Sequence, residues 1–155
     1  MLVEGKKIAR AISVDVATRV EKAITSPCMA VITCDPNFET QKYLDLKKNK
    51  AVTFGITLEV ITLPDDASTE TAVKAVKTAA KFFDGVIVQL PLPAAIDAVE
   101  VLAAVPVNRD VDAFSYQHEE CKILPPVVGA IDEISKLHQI EWENKKVVIF
   151  GAGKL

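Results

Sequence analysis

Tyr43 and Lys47 stand four residues apart in a stretch with helical spacing, which puts their side chains on one face. A lysine beside an aromatic ring, in a cleft that excludes water, can move protons as an acid or a base. The bland alternative is that Lys42, Lys47, Lys48 and Lys50 form a solvated helix face, and exposed lysine is the common case. Gln89 follows the apolar run Val86-Ile87-Val88. At a strand end, its amide can hold a lysine or a substrate carbonyl through its paired donor and acceptor, or simply satisfy loop backbone. Asp110 and Asp112 flank Val111, and an extended backbone there sends their carboxylates to opposite sides. One of them can grip the edge of an amino-pyrimidine through two parallel hydrogen bonds. Equally, a carboxylate at this position can close an Asx-type turn on its own backbone. Gly151-Ala152-Gly153, after an apolar run, opens the dinucleotide fingerprint G-x-G-x-x-G, which this sequence does not complete.

These residues need a scaffold, and the hydropathy pattern supplies one. Ile8, Ile12, Val16, Val20 and Ile24 recur every four residues, which predicts an amphipathic helix from Gly5 to Ile24, closed by Ser26-Pro27. Met29 to Thr33, Leu58 to Leu63 and Gly85 to Leu90 read as strands, the first and third without polar alternation, as in a parallel sheet covered on both faces. Helices are expected from Thr40 to Phe54 with Gly55 as a left-handed cap, and from Thr69 to Phe82 capped by Ser68. The second of these would bury Ala72, Val73, Val76 and Ala80. A short helix at about 96–104, a helix at 127–138 and a last strand at 145–150 complete the pattern. The stretch from Pro106 to Pro126 has no clear period, and irregular loops of that length are often functional. Strands alternating with helices predict an α/β layered domain with a largely parallel sheet, whose ligands bind beyond the carboxyl ends of the strands. Asp35, Gln89 and Gly151 follow those ends.

The 155 residues carry a net charge of −3 and no basic run, which argues against nucleic acid or an anionic membrane as partner. Cys28, Cys34 and Cys121 follow no C-x-x-C spacing, and with His118 and His138 they make no plausible zinc set, so no metal is expected. Cys28 and Cys34 read as small core hydrophobes, and His138 as a helix-end residue favoured by the dipole. His118, in the long loop, is ambiguous. Unpaired thiols and the lack of a signal peptide point to the cytoplasm.

Four segments then resemble one family in order and distance. They are Gly5-Lys6-Lys7-Ile8-Ala9, Tyr43 to Lys50 running on to Gly55-Ile56, Asp84-Gly85-Val86-Ile87-Val88-Gln89-Leu90-Pro91-Leu92-Pro93, and Asp110-Val111-Asp112. Together they are similar to the bifunctional methylenetetrahydrofolate dehydrogenase/cyclohydrolases over the whole chain, the Gln89 segment almost letter for letter. The resemblance implies a three-layer α/β/α fold like the N-terminal domain of amino-acid dehydrogenases. It also implies a folate-binding catalytic domain at 1–125, an interdomain helix and linker at 126–145, and the first strand and glycine turn of a truncated NAD(P)-binding domain at 146–155.

The same resemblance implies that Lys47 is the catalytic lysine, that Gln89 orients it and that Asp112, rather than Asp110, holds the pterin. Tyr43, Thr40, Leu90 and Pro91 would line the folate pocket, and Gly151 and Gly153 would belong to an incomplete cofactor motif. The implied chemistry is oxidation of 5,10-methylenetetrahydrofolate by NADP, or NAD, and hydrolysis of the methenyl product to 10-formyltetrahydrofolate. The cofactor would bind the full-length enzyme, a homodimer, and not this segment tightly. Departures from the family pattern are Thr33-Cys34 for Val-Gly, two extra residues before Tyr43, Arg109 for lysine, Ala113 for glycine, and Leu124 to Gly129 for P-C-T-P-x-G. They leave two other expectations open, a non-catalytic folate-binding or dimerisation module and another dehydrogenase of the same fold, such as one acting on shikimate.

Overall fold

A computed structural model describes residues 3–116 and 120–151. Three parallel strands form its centre: β1 (Cys28–Cys34), β2 (Thr57–Leu63) and β3 (Gly85–Val88), in the order β2-β1-β3. Val31 lies opposite Val60 on one side and Ile87 on the other, which sets the register. Helix α1 (Gly5–Glu21) precedes the sheet, α2 (Phe38–Thr53) joins β1 to β2, and α3 (Thr69–Phe82) joins β2 to β3. Helices α4 (Ala98–Ala103) and α5 (Pro126–Leu137) follow.

The period-two alternation of a strand divides the core into two layers. Ala30, Ile32, Cys34, Val86 and Val88 pack with Ala72, Val76, Ala79 and Val101, so α3 and α4 cover one face of the sheet. Val31 and Ile87 pack with Leu44, so α2 covers the other. The expected three-layer α/β arrangement is therefore the observed one, with a small sheet. The face of α3 is turned slightly from expectation, since Ala79 is buried while Val73 and Ala80 are only partly so.

Local chemistry explains the boundaries. Asn37 caps α2 by accepting from the Thr40 N–H at 2.8 Å, so the helix starts two residues before the expected Thr40. At its end the N–H groups of Gly55 and Ile56 donate to the carbonyls of Val52 and Ala51, with Gly55 at φ +69°. That is a Schellman cap, and the left-handed glycine makes it possible. Ser68 accepts from the Thr71 N–H at 3.2 Å and starts α3. Asp97 accepts from the N–H groups of Val99 and Glu100, which delays α4 to Ala98 instead of residue 96.

Two expectations fail for the same reason. Helix α1 stops at Glu21, short of Ile24, and it contains no buried residue. Its apolar stripe faces α5, and near its end Val20 reaches only the edge of the Gly55 turn, so the last turn is little covered among the described residues. Residues 145–150, expected as a strand, pair with no strand, and Val147 to Phe150 are exposed. A buried parallel strand needs a neighbour to satisfy its backbone, and no neighbour lies alongside among the described residues.

Thr33 in β1 is buried, and its Oγ1 has no hydrogen-bond partner among the described residues. The hydroxyl therefore costs its desolvation without return. Thr33→Val, of nearly the same shape, should stabilise the fold by about 1 kcal/mol, read as a higher urea midpoint at constant slope. A midpoint that falls would show that the hydroxyl has a partner in solution.

Candidate functional site

The strand order changes direction between β1 and β3, and in open parallel sheets that switch point opens a crevice at the carboxyl ends. A cleft of about 420 Å³ lies there, lined by Asn37, Glu39, Thr40, Tyr43, Lys47, Gln89, Leu90 and Pro91. Thr40, Tyr43 and Lys47 come from one face of α2, while Leu44 and Ala51 on the next face anchor that helix to the sheet. Gln89, Leu90 and Pro91 come from the end of β3, where the Gln89 N–H still donates to the Ile32 carbonyl at 2.8 Å.

Lys47 Nζ donates to Gln89 Oε1 at 3.0 Å. The opposite end of the same amide, Nε2, donates to the Leu90 carbonyl at 2.8 Å. An ammonium can only donate and a carbonyl can only accept, so these two partners together permit one orientation of the amide. The amine is thus held by a neutral group, leaving its charge uncompensated by that contact. Tyr43 is 63% exposed, so the cleft is open on that side.

The two carboxylates of the Asp110–Asp112 segment have separate fates. Asp110 is buried, and its Oδ2 accepts from the Ser115 N–H at 2.8 Å and from Ser115 Oγ at 2.7 Å. It closes a turn. Asp112 is half-buried and is within electrostatic reach of Lys47. Loss of hydration pushes its carboxyl above the usual carboxylate range, the Lys47 charge opposes that rise, and Asp110 adds to it. Asp110 thus bonds backbone, but five residues on, across a wider turn than the expected Asx type.

Gly85 lies beneath this turn. A Cβ there would sit 2.6 Å from Val111 Cγ1 and 3.3 Å from Met29 Cγ, so the bare backbone lets Val111 settle against β3. Gly85→Ala should cost about 1–3 kcal/mol by overpacking and should displace the Asp110–Asp112 segment. Thermal melts and folate titration of this variant check both effects; an unchanged melt would show that Val111 is free to move aside.

Sequence reasoning missed Asn37 and Glu39 as lining residues. The signal available was Asn37 three residues before Thr40, a capping pattern that moves the start of the helix to the cleft. Asp35, expected near the chemistry, is not among the residues that line the cleft. Gly151 has φ +113° and open space around it. Gly153 and His118 lie outside the described residues. His138 caps the end of α5, away from the cleft. Cys34 is buried, and its thiol is pushed up by that burial and then by Asp65, Asp35 and Asp66, which suits a core residue and not a nucleophile. No cluster of His, Cys, Asp or Glu among the described residues could hold a metal ion, and no described helix is long and apolar enough to cross a membrane.

A larger cavity, about 710 Å³, lies between α1 and α5. Ile8, Ala11, Ile12 and Leu137 line it together with Glu4, Lys7, Glu133, Lys136 and His138, and most of its surface is apolar. It lacks the convergent polar groups that orient a small substrate, so the smaller cleft is the better candidate.

A three-layer α/β domain with an amide-held amine at a switch point and a half-buried carboxylate nearby has the layout of a small-molecule catalytic domain. Residues 3–112 match the model of the tetrahydrofolate dehydrogenase/cyclohydrolase catalytic domain. The chain is 26% identical over 162 residues to the bifunctional protein FolD of Mycoplasma mobile and 30% identical over 169 residues to that of the Wolbachia endosymbiont of Brugia malayi. It superposes on the crystal structure of the bifunctional FolD methylenetetrahydrofolate dehydrogenase/cyclohydrolase of Campylobacter jejuni with a TM-score of 0.87 at 24% identity, covering 99% of this chain and 58% of that one. The Trypanosoma brucei FolD structure, in complex with NADP and an inhibitor, gives a TM-score of 0.76 at 22% identity, covering 91% of this chain and 52% of that one. The chain belongs to the tetrahydrofolate dehydrogenase/cyclohydrolase family, by its catalytic domain. It covers 58% of the Mycoplasma mobile protein and 57% of the Wolbachia protein, in each case with 100% of its own length.

Proposed function

We propose that this chain binds a reduced folate in the cleft beside Lys47 and takes part in hydrolysis of 5,10-methenyltetrahydrofolate to 10-formyltetrahydrofolate. The observation that carries the reading is the Lys47–Gln89 contact at 3.0 Å inside a cleft with Tyr43, Thr40, Leu90 and Pro91. In that reading a water oxygen adds to the methenyl carbon and its proton passes to the unprotonated form of Lys47, which still donates one N–H to Gln89 Oε1. The carbon–N5 bond then breaks with proton return to N5, and one proton is released overall. Gln89 holds the amine at the site of attack, Asp112 grips the pterin edge and Tyr43 flanks the ring system.

Oxidation of 5,10-methylenetetrahydrofolate by NADP or NAD is the coupled reaction proposed for a protein with a complete dinucleotide site. The described residues do not form that site, and no step of the oxidation is derived from them. The exposed side of Tyr43 fits a cleft that a further domain walls off, and a cytoplasmic homodimer is the assembly proposed for the complete protein. Folate binding without turnover is a second reading, favoured by Ala113, which adopts a left-handed φ of +55° where glycine is at ease.

Calorimetric titration with 5,10-methenyltetrahydrofolate tests the reading. Saturable one-site binding is expected. A folded chain that takes up no heat of binding overturns it.

A further inference from the structure

The turn that carries Asp112 is held far more firmly than a surface loop requires. Asp110 forms a parallel bridge with Val86, which ties the start of the turn to β3. Val111 packs over the bare backbone of Gly85. Ala113 is buried at φ +55°, a left-handed conformation that is strained for a non-glycine residue. Ser115 then closes the turn with two hydrogen bonds onto one oxygen of the buried Asp110 carboxylate. Such strain persists only where the surroundings over-determine the backbone.

All of these contacts leave one group unused. Asp112 sits between Val111 and Ala113, half-buried, and no hydrogen bond to its carboxylate contributes to its environment among the described residues. The charged groups that act on it are Lys47 from α2 and Asp110 from its own turn. Strain and desolvation that hold a carboxylate with no hydrogen-bond partner among the described residues keep it ready for a ligand.

We propose that Ser115, acting through Asp110, is a positioning residue that locks the 110–115 turn and so presents the Asp112 carboxylate to the pterin edge. The proposal rests on the folate reading of the cleft. It assigns Ser115 no contact with substrate. Its hydroxyl and N–H both converge on Asp110, so loss of the hydroxyl alone leaves the turn half-closed and Asp112 free to swing toward water.

The test uses Ser115→Ala, Ser115→Thr and Asp112→Ala. Ser115→Ala should weaken binding of 5,10-methenyltetrahydrofolate about fivefold to tenfold, while Ser115→Thr, which keeps the hydroxyl, restores it. In the Asp112→Ala background, Ser115→Ala should change the affinity no further, because the group it positions is gone. A purely structural role would instead lower the melting temperature and leave the affinity of the folded protein unchanged, which overturns the proposal. Carbon-13 NMR titration of the Asp112 carboxyl gives a readout without ligand. The titration should move back toward the ordinary carboxylate range in Ser115→Ala, and an unmoved titration also overturns the proposal. If the unaltered protein binds no folate, the reading of the cleft fails, while the NMR titration still decides whether Ser115 positions Asp112.

Discussion

Lys47→Ala is expected to lower the rate of methenyltetrahydrofolate hydrolysis by about 10²–10⁴, the usual worth of a positioned acid–base group. On the proposed reading Asp112 still holds the pterin and the cleft loses only the part of its wall that Lys47 supplies, so folate affinity should move by much less than the rate. The measurement is loss of the methenyl absorbance with time, alongside a binding titration of the same variant. Because Gln89 holds the amine through its oxygen and is itself fixed by the Leu90 carbonyl, Lys47→Arg should not rescue. The planar guanidinium puts its donors at different positions and cannot give up a proton. Hydrolysis that survives Lys47→Ala would leave binding without turnover as the better reading.

Asp112→Asn carries the second large effect, and it acts on stability and binding in opposite directions. The carboxyl is raised chiefly by lost hydration, against the pull of Lys47. Well below the ordinary carboxylate range both folded and unfolded chains hold the proton, and nothing is lost. As pH climbs from the ordinary value through the raised one, the unfolded chain ionises first, so stability falls across that window and stays lower above it. The neutral amide escapes this penalty. Asp112→Asn should therefore melt at a higher temperature near neutral pH, and the gain should vanish on acidification below the carboxylate range. Folate affinity should meanwhile fall about tenfold to a hundredfold, since an amide cannot accept two parallel hydrogen bonds as a carboxylate does. Melts at two pH values and one titration suffice. A variant no more stable at neutral pH than at acid pH would mean that Asp112 is well solvated.

The two effects together describe a trade between stability and function, and they show how much of this site the sequence could disclose. Strands and helices were legible because period-two and period-four patterns are local, and Gly55 and Ser68 carried their own backbone chemistry. The buried side of α1 was not legible. Its stripe is regular, yet burial depends on what lies opposite, and among the described residues α5 covers it only in part. The apolar run at 145–150 likewise has the composition of a strand but no partner alongside it among the described residues.

For the site, spacing alone left Lys47 in a row of solvated lysines and Gln89 as a loop glutamine. They are 42 residues apart, and no local rule pairs a lysine on one helix with an amide at the end of another strand. Only the ordered motifs, read as a resemblance, brought them together. The Asp110–Asp112 pair was half legible: alternation implied that the carboxylates diverge, but not that Asp110 is the one bonded by Ser115, three residues beyond the motif. Asn37 and Glu39 were passed over because Asp35-Pro36-Asn37 reads as a turn, although Asn37 is also the first cap of α2.

The most direct test maps a hydrolysis-resistant folate analogue onto the protein by amide and methyl chemical shifts. Perturbations are expected at Thr40, Tyr43, Gln89 and Asp112, with Ile8, Ile12 and Leu137 unmoved. Shifts confined to the apolar cavity between α1 and α5, with the Lys47 cleft silent, would contradict the folate reading of that cleft.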